Sequence, residues 1–147
     1  MVSVKSEIPA AERHVAVLVG GLMLEVREGF PPDEWEGLRQ SHFRVIASVP
    51  VEGVSVTELA DRVRMTKQGC GQFVDQLVSS GHLTREPSLE DGRVRLVRRT
   101  GLGEQNVRDV TRRMEEIEDR WRDLVGVRRY ATFRRVLEEI ATRSDDA

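Results

Sequence analysis

The residues with the clearest chemical potential in this sequence are four closely spaced arginines in the second half of the chain. They are Arg93, Arg95, Arg98 and Arg99, and the seven residues that they span contain no acidic side chain. Guanidinium groups at this density create a positive potential that attracts the phosphates of a polyanion. An ordinary solvated strand face has the same spacing, so the arginines alone leave both interpretations open.

The distribution of charge along the chain favours the first interpretation. A net charge of −2 would by itself argue against a nucleic-acid partner. However, residues 1–54 carry a net charge of −3, residues 55–99 carry +2 and residues 100–147 carry −1. The positive third contains the four arginines, which is typical of a protein that binds a polyanion along one face.

The sequence contains no arrangement of residues typical of an enzyme or a metal site. It has no nucleophile paired with a base, no glycine-rich phosphate loop and no cluster of carboxylates. A single cysteine excludes an internal disulfide, and three scattered histidines do not complete a zinc site with it. We therefore expect a protein that is not an enzyme and has neither a metal nor another cofactor.

Length and composition indicate one folded domain. The chain has 147 residues, of which 39% are hydrophobic and 33% are charged, as in globular proteins with a buried core. The longest uncharged apolar run, residues 15–24, is half the length that a membrane-spanning helix needs. No basic start followed by an apolar segment indicates secretion. A cytoplasmic location without membrane contact is the expectation.

Hydrophobic periodicity and capping residues predict six helices and one β-hairpin. The helices span residues 9–28, 38–49, a short segment after Ser55, 67–79, 100–125 and 128–142, and the strands span residues 83–87 and 93–99. Ser55, Thr66 and Thr100 are residue types that cap helix N-termini. Gly81 is placed to end the fourth helix in the left-handed conformation. The third and fourth helices, with a short turn between them, have the proportions of a helix-turn-helix.

The same patterns predict which faces are buried. In the second helix Phe43, Ile46 and Ala47 are expected to point inward. In the second strand Val94 and Leu96 are expected to be buried, with the arginines facing water. The first helix is apolar nearly all round and the fifth has a heptad repeat of apolar residues, so both need a partner to cover them.

The order of these elements resembles the MarR family of bacterial winged-helix transcription regulators. The matching motifs lie at residues 38–46, 56–62, 66–85 and 90–100, and the last contains the wing signature Asp-x-Arg as Asp91-Gly92-Arg93. The resemblance covers residues from about 10 to 142. It implies a single MarR-like domain over residues 1–147, mainly α with a small β-wing. Residues 38–99 would form the winged helix-turn-helix lobe, and residues 9–29 and 101–143 the dimerisation helices.

The resemblance also implies a function. A MarR-like protein is a homodimer that binds double-stranded DNA at a pseudo-palindromic operator, because a two-fold dimer presents two recognition helices about one DNA turn apart. Such regulators are often repressors that a small aromatic or amphipathic effector releases from DNA. The alternative is a dimeric winged-helix interaction or adaptor protein with weak or non-specific DNA binding.

Eight residues of this sequence fall at positions that the resemblance assigns to DNA binding. They are Ser55, Thr57, Thr66, Lys67, Gln68, Gln72, Arg93 and Arg95. Gln68 or Gln72 would read adenine in the major groove, and Lys67 would contact guanine or a phosphate. Gly69 and Gly71 depart from the family pattern, which has side chains facing DNA there. Either the helix backbone approaches DNA closely or sequence readout is poor.

The remaining DNA contacts are implied for the wing and the third helix. Arg93 would enter a narrow minor groove, where the negative potential is enhanced, and Arg95 would contact a phosphate. Ser55 and Thr57 would anchor a phosphate at a helix start, although capping is the more ordinary role for Ser55.

Two further sets of residues follow from the resemblance. Asp91 would support the wing by a bidentate pair with Arg85 or Arg93. A ligand pocket would be lined by Trp35, His42 and Phe43, although core or loop roles explain these three residues equally well. Cys70 lies on the inward side of the fourth helix, where packing is expected rather than redox sensing.

Overall fold

The protein is mainly α-helical with a small two-stranded antiparallel sheet, which confirms the predicted fold class. The computed structural model describes residues 14–143. Their elements are α1 (Val15–Glu28), α2 (Gln40–Ser48), α3 (Val56–Val63), α4 (Lys67–Ser79), β1 (Leu83–Pro87), β2 (Arg95–Arg99), α5 (Gly101–Val125) and α6 (Val127–Arg143). The chain divides into two compact units, Met1–Arg39 and Gln40–Ala147.

The first unit contains α1 and the segment that follows it. His14 is extended (φ −61°, ψ 142°) and α1 begins at the next residue; the predicted helix start near Pro9 falls outside the described residues. Gly29 ends the helix, and its N–H donates to the Glu25 carbonyl oxygen at 3.0 Å. Apart from Val26, the large apolar side chains of α1 are not buried. Most of the apolar surface of this helix is therefore exposed.

The helix-turn-helix of the second unit forms as its capping residues predict. The Ser55 hydroxyl accepts a hydrogen bond from the Glu58 amide at 3.2 Å, and the Thr66 hydroxyl accepts one from the Gly69 amide at 3.0 Å. These bonds satisfy amides that the first turn of each helix leaves without a partner. Arg64 is left-handed (φ 54°) and ends α3, so that residues 64–66 form the turn into α4.

The core of the second unit is aliphatic, and most of it comes from α2, α3 and α4. Its fully buried large side chains on these helices are Val45, Ile46, Leu59, Val63, Val74 and Leu77. The predicted inward positions Phe43 and Ile46 are buried, whereas Ala47 is exposed. The prediction for Ala47 is wrong because Val45 occupies the core, which turns the neighbouring face of this short helix toward water.

The wing consists of β1, β2 and the loop of residues 88–94 between them. The strands pair in antiparallel register from Leu83 with Arg99 to Pro87 with Arg95. Val54, which precedes α3, adds a bridge to Val97 through two main-chain hydrogen bonds of 3.0 Å and 2.7 Å. The bridge ties the wing to the helix-turn-helix.

The wing also corrects two predictions. The second strand begins at Arg95, two residues later than predicted. Its buried residue is Val97, which is 1% exposed, whereas Val94 is 41% exposed and Leu96 is only partly covered. The predicted face is wrong because Val97 lies against Val54, and that long-range bridge decides which side of the strand is covered.

The last two helices contact each other through Tyr130 of α6, whose hydroxyl donates to the Glu118 carboxylate of α5 at 2.6 Å. Thr100 caps α5 and accepts a hydrogen bond from the Gly103 amide at 3.1 Å, as predicted. Gly126 (φ 92°) separates α5 from α6. On α6 the apolar side chains are substantially exposed: Phe133, Val136, Leu137 and Ile140. No helix within residues 14–143 has the length and apolar character that a membrane crossing requires.

Candidate nucleic-acid interface

The start of α4 presents a group of polar side chains to solvent. We call Thr66, Lys67, Gln68 and Gln72 the polar start of α4, and all four are exposed. The opposite face of the helix is fixed in the core by Cys70, Val74 and Leu77. Helical periodicity therefore directs the amide and ammonium groups outward from a rigidly held element. The predicted major-groove residues share one accessible surface.

The two glycines of α4 are not equivalent. A Cβ at Gly69 would lie 3.0 Å from the Thr66 hydroxyl oxygen, so a side chain there would crowd the helix cap. A Cβ at Gly71 would meet no atom within 4 Å. The fold of this chain therefore does not require glycine at position 71, and its absent side chain leaves open space beside Gln72.

The tip of the wing is organised by Asp91. The Val94 amide donates to the Asp91 carbonyl oxygen at 3.0 Å, closing a tight turn with Gly92 and Arg93 at its centre. The Asp91 carboxylate accepts from the main-chain amide of Arg93 at 3.0 Å. Among the described residues, Asp91 forms no ion pair with an arginine side chain, so the predicted bidentate pair is not seen at this tip. The Arg93 guanidinium is exposed at the turn.

Arg85 supports the wing through a different carboxylate from the one predicted. Its guanidinium lies 2.6 Å from the Asp75 carboxylate of α4. This ion pair joins β1 to the helix that carries the polar start. Sequence reasoning missed Asp75 because a single acid on an exposed helix face gives no signal of its partner.

Of the four arginines within residues 93–99, two form ion pairs and two are exposed. Arg98 lies 3.1 Å from the Glu86 carboxylate and donates to the Val51 carbonyl oxygen at 3.0 Å. Arg99 lies 3.0 Å from the Glu104 carboxylate. The side chains of Arg93 and Arg95 are exposed and form no ion pair with another described residue. These two are the arginines available to an external anion.

The N-terminus of α3 contributes the other predicted phosphate anchors. The Ser55 hydroxyl is occupied by the amide of Glu58, so capping accounts for this residue. Thr57 is exposed in the first turn of the helix. Main-chain amides at a helix start favour an anion, and Thr57 is the side chain free to assist them.

The three residues of the predicted ligand pocket are divided between the two units. In the first unit the rings of Trp35 and Phe30 lie 4.8 Å apart between centroids. In the second unit His42 and Phe43 are both buried. His42 Nε2 lies 2.9 Å from the side-chain oxygen of Gln76 on α4. The pocket stays a prediction, and the contact between α2 and α4 is one that sequence reasoning missed.

Cys70 has the packing role expected of it. It is completely buried on the inward face of α4, and burial raises the pKa of its thiol. A raised pKa disfavours the reactive thiolate. Among residues 14–143, no three His, Cys, Asp or Glu side chains are grouped so that they could hold a metal ion.

One segment of the chain matches a known protein family. Residues 36–94 match the model of the MarR family. This segment of the chain is similar to the MarR family. The matched segment contains α2, α3, α4, β1 and the tip of the wing, so the MarR region coincides with the polar start of α4 and the exposed Arg93. The resemblance in the sequence is confirmed. No curated protein sequence gives a significant match to the chain.

Solved structures extend the MarR likeness beyond the lobe. CouR from Rhodococcus jostii RHA1, solved with p-coumaroyl-CoA bound, is 23% identical with a TM-score of 0.68, over 91% of this chain and 96% of CouR. The PcaV transcriptional regulator from Streptomyces coelicolor is 18% identical with a TM-score of 0.68, over 91% of this chain and 99% of PcaV. Reduced MarR from E. coli is 17% identical with a TM-score of 0.72, over 86% and 96%. At these identities the likeness establishes the MarR fold.

Proposed function

We propose that this protein is a homodimeric transcription regulator that binds a pseudo-palindromic operator in double-stranded DNA. The observation that carries the proposal is the shared accessibility of the polar start of α4 and the exposed Arg93 at the wing tip. In a winged helix these elements face the major groove and the adjacent minor groove. The Arg85–Asp75 ion pair, at 2.6 Å, links β1 of the wing to α4.

Each exposed side chain has a definite part in the proposed complex. Gln68 and Gln72 offer amide groups that pair with the two hydrogen-bonding atoms of adenine, and Lys67 donates to guanine or to a phosphate. Thr57 and the free amides of α3 contact a phosphate. Arg93 enters the minor groove, and Arg95 neutralises a neighbouring phosphate.

The proposed dimer follows from apolar surface that the single chain does not cover. Large apolar side chains are exposed along α1 and α6, including Val15, Met23, Leu137 and Ile140. Exposed apolar side chains grouped on a helix in this way are typical of an interface with another protein surface. A second copy related by two-fold symmetry would cover it and would separate the two recognition helices by about 34–36 Å, one turn of DNA.

The proposed regulation is release from DNA by a small effector. The solved relative CouR holds p-coumaroyl-CoA, and an aromatic or amphipathic molecule is the chemistry that a pocket near His42 and Phe43 would accept. Effector binding would then relieve repression of a target gene. A cytoplasmic location belongs to the same proposal.

Titration of labelled DNA tests the proposed activity. The probe is the DNA segment upstream of the gene that encodes this chain, and a shuffled duplex of equal length is the reference. We expect the apparent Kd to rise steeply with salt, because each phosphate contact releases about one counterion. Equal weak binding of every duplex, together with tight binding of another protein, would favour the adaptor alternative that Gly69, Gly71 and the net charge of −2 suggest.

Arg93→Ala tests the assignment of the wing tip. Since the exposed guanidinium makes no described ion pair, its loss should leave the folded dimer intact and raise the Kd for the upstream duplex by roughly tenfold, about 1.4 kcal/mol. Arg120→Ala is the matched control, because Arg120 is exposed on α5 far along the chain from the wing. Unchanged affinity of Arg93→Ala would exclude the minor-groove role.

A further inference from the structure

The end of α4 and the beginning of α5 meet in a small junction, which we define as residues 80–82 and 100–103. The Thr100 amide donates to the His82 carbonyl oxygen at 3.2 Å, and the Thr100 hydroxyl donates to the Gly81 carbonyl oxygen. His82 is 2% exposed, and its Nδ1 lies 2.7 Å from the Ser80 hydroxyl. Ser80 in turn donates to the Leu77 carbonyl oxygen of α4 at 3.2 Å. A continuous set of hydrogen bonds therefore connects the two helices.

The backbones of the junction are in direct contact at Gly103. A Cβ added to Gly103 would lie 2.2 Å from the His82 carbonyl oxygen and 3.2 Å from the carbonyl carbon. Two residues earlier, a Cβ at Gly101 would meet no atom within 4 Å. Gly103 is therefore required by the approach of α5 to residue 82, and the first turn of α5 does not otherwise need glycine.

The edge of the junction is closed by an ion pair. Arg99, the last residue of β2, has only 14% of its side chain exposed, and its Nε lies 3.0 Å from the Glu104 carboxylate of α5. Along the chain, α4 reaches α5 only through the seventeen residues of the wing segment between them, 83–99. At the junction, by contrast, the backbones that follow α4 and begin α5 are in direct contact.

We propose that this junction is the positioning element that sets the distance between the two recognition helices of the dimer, with Gly103 and Thr100 as its determining residues. The inference rests on the proposed function. In the proposed dimer the polar start of α4 contacts DNA, whereas α5 leads into α6 at the dimer interface. A change in the angle between α4 and α5 would therefore change the distance between the two recognition helices. A rigid junction makes the protein selective for one operator spacing, and a loosened junction removes that selectivity.

The experiment measures affinity against half-site spacing. The probe is a duplex that the wild-type protein selects from a random-sequence library, and the series adds or removes one or two base pairs at its centre. Each base pair moves one half-site by about 3.4 Å and turns it by about 35°. Gly103→Ala is compared with the matched control Gly101→Ala, and Thr100→Val with Thr100→Ser, which keeps the hydroxyl. Self-association and affinity for a single half-site duplex are measured in parallel.

We expect the wild-type protein, Gly101→Ala and Thr100→Ser to lose at least about tenfold in affinity when one base pair is inserted. Gly103→Ala should bind all spacings within about threefold of one another and bind the single half-site with unchanged affinity. If Gly103→Ala does not fold, Thr100→Val decides, since it removes only the hydroxyl contacts.

The two possible failures are distinct. A folded, dimeric Gly103→Ala or Thr100→Val that keeps the wild-type spacing profile overturns the inference and leaves the proposed function standing. A wild-type protein that binds well but without any preference for spacing also overturns the inference alone. A wild-type protein that binds no duplex overturns the proposed function, and the inference falls with it.

Discussion

At the scale of single residues, the fold does not require glycine at position 71, so the effect of Gly71 on DNA binding can be measured separately from its effect on stability. A helix-interior glycine costs about 1 kcal/mol relative to alanine, and a Cβ at Gly71 would meet no atom within 4 Å. Gly71→Ala should therefore raise the free energy of unfolding by about 1 kcal/mol. If α4 approaches DNA through its backbone here, the same methyl group should lower operator affinity by roughly tenfold. Chemical denaturation and DNA titration measure the two effects.

A Gly71→Ala variant that is more stable but does not lose operator affinity would contradict a close approach of the α4 backbone to DNA. An affinity that stays the same or improves, with stability raised as expected, means that the open space beside Gln72 is not filled by DNA. Sequence readout would then depend on Lys67, Gln68 and Gln72 alone. Gly69→Ala is not an equivalent test, because its Cβ would crowd the Thr66 hydroxyl at 3.0 Å.

At the scale of elements, Tyr130 of α6 makes a hydrogen bond to α5. Its hydroxyl donates to the Glu118 carboxylate at 2.6 Å, and the ring is buried. Burial, together with the hydrogen bond to the negatively charged Glu118 carboxylate, raises the pKa of Tyr130 to about 12. Because the ordinary pKa of tyrosine is about 10, this contact contributes its full stability below pH 10 and loses it as the pH rises toward 12.

Comparison with Tyr130→Phe isolates this contribution. Below pH 10 the variant should be less stable by about 1.5–3 kcal/mol, the value of a hydrogen bond to a charged acceptor. The difference should shrink between pH 10 and 12, where the wild-type phenol ionises. Since the chain has one tyrosine, tyrosinate absorbance reports its titration directly. A midpoint near pH 10 would show that the hydroxyl is not held as described.

The elements also show what the sequence determines locally and what it leaves to distant contacts. Caps are local, so Ser55, Thr66 and Thr100 predict the helix starts that the structure has. The buried face of β2 is determined by a contact with a distant part of the chain. Leu96 and Val97 are adjacent and both apolar, and only the bridge from Val54 to Val97 selects the second.

In the candidate site, too, local features were predictable from the sequence and long-range pairings were not. The exposed polar start of α4 is predictable, because the apolar stripe of the helix fixes which residues face water. The partner of Arg85 was not predictable, since Asp75 and Asp91 are both acids within reach along the sequence, and the tertiary position of β1 beside α4 selects Asp75 at 2.6 Å. Charge type is visible in sequence, whereas pairing depends on the fold.

At the scale of the whole molecule, the proposed activity depends on two copies acting together. The apolar side chains of α6 that a partner would cover include Phe133, Leu137 and Ile140. Leu137→Lys places a charge in that surface, where an unpaired buried charge is costly. We expect it to raise the dimer dissociation constant at least tenfold, about 1.4 kcal/mol or more. Glu139→Lys, at an exposed position of the same helix, is the control for a lysine on α6.

Sedimentation equilibrium measures the association, and DNA titration measures its consequence. A monomer contacts one half-site, so it releases fewer counterions, and its affinity should depend less steeply on salt than that of the dimer. Leu137→Lys should therefore lose both affinity for the full operator and part of the salt dependence, while Glu139→Lys retains both. A wild-type chain that is monomeric at micromolar concentration, or a Leu137→Lys variant that stays dimeric, would remove the reason for expecting a palindromic site.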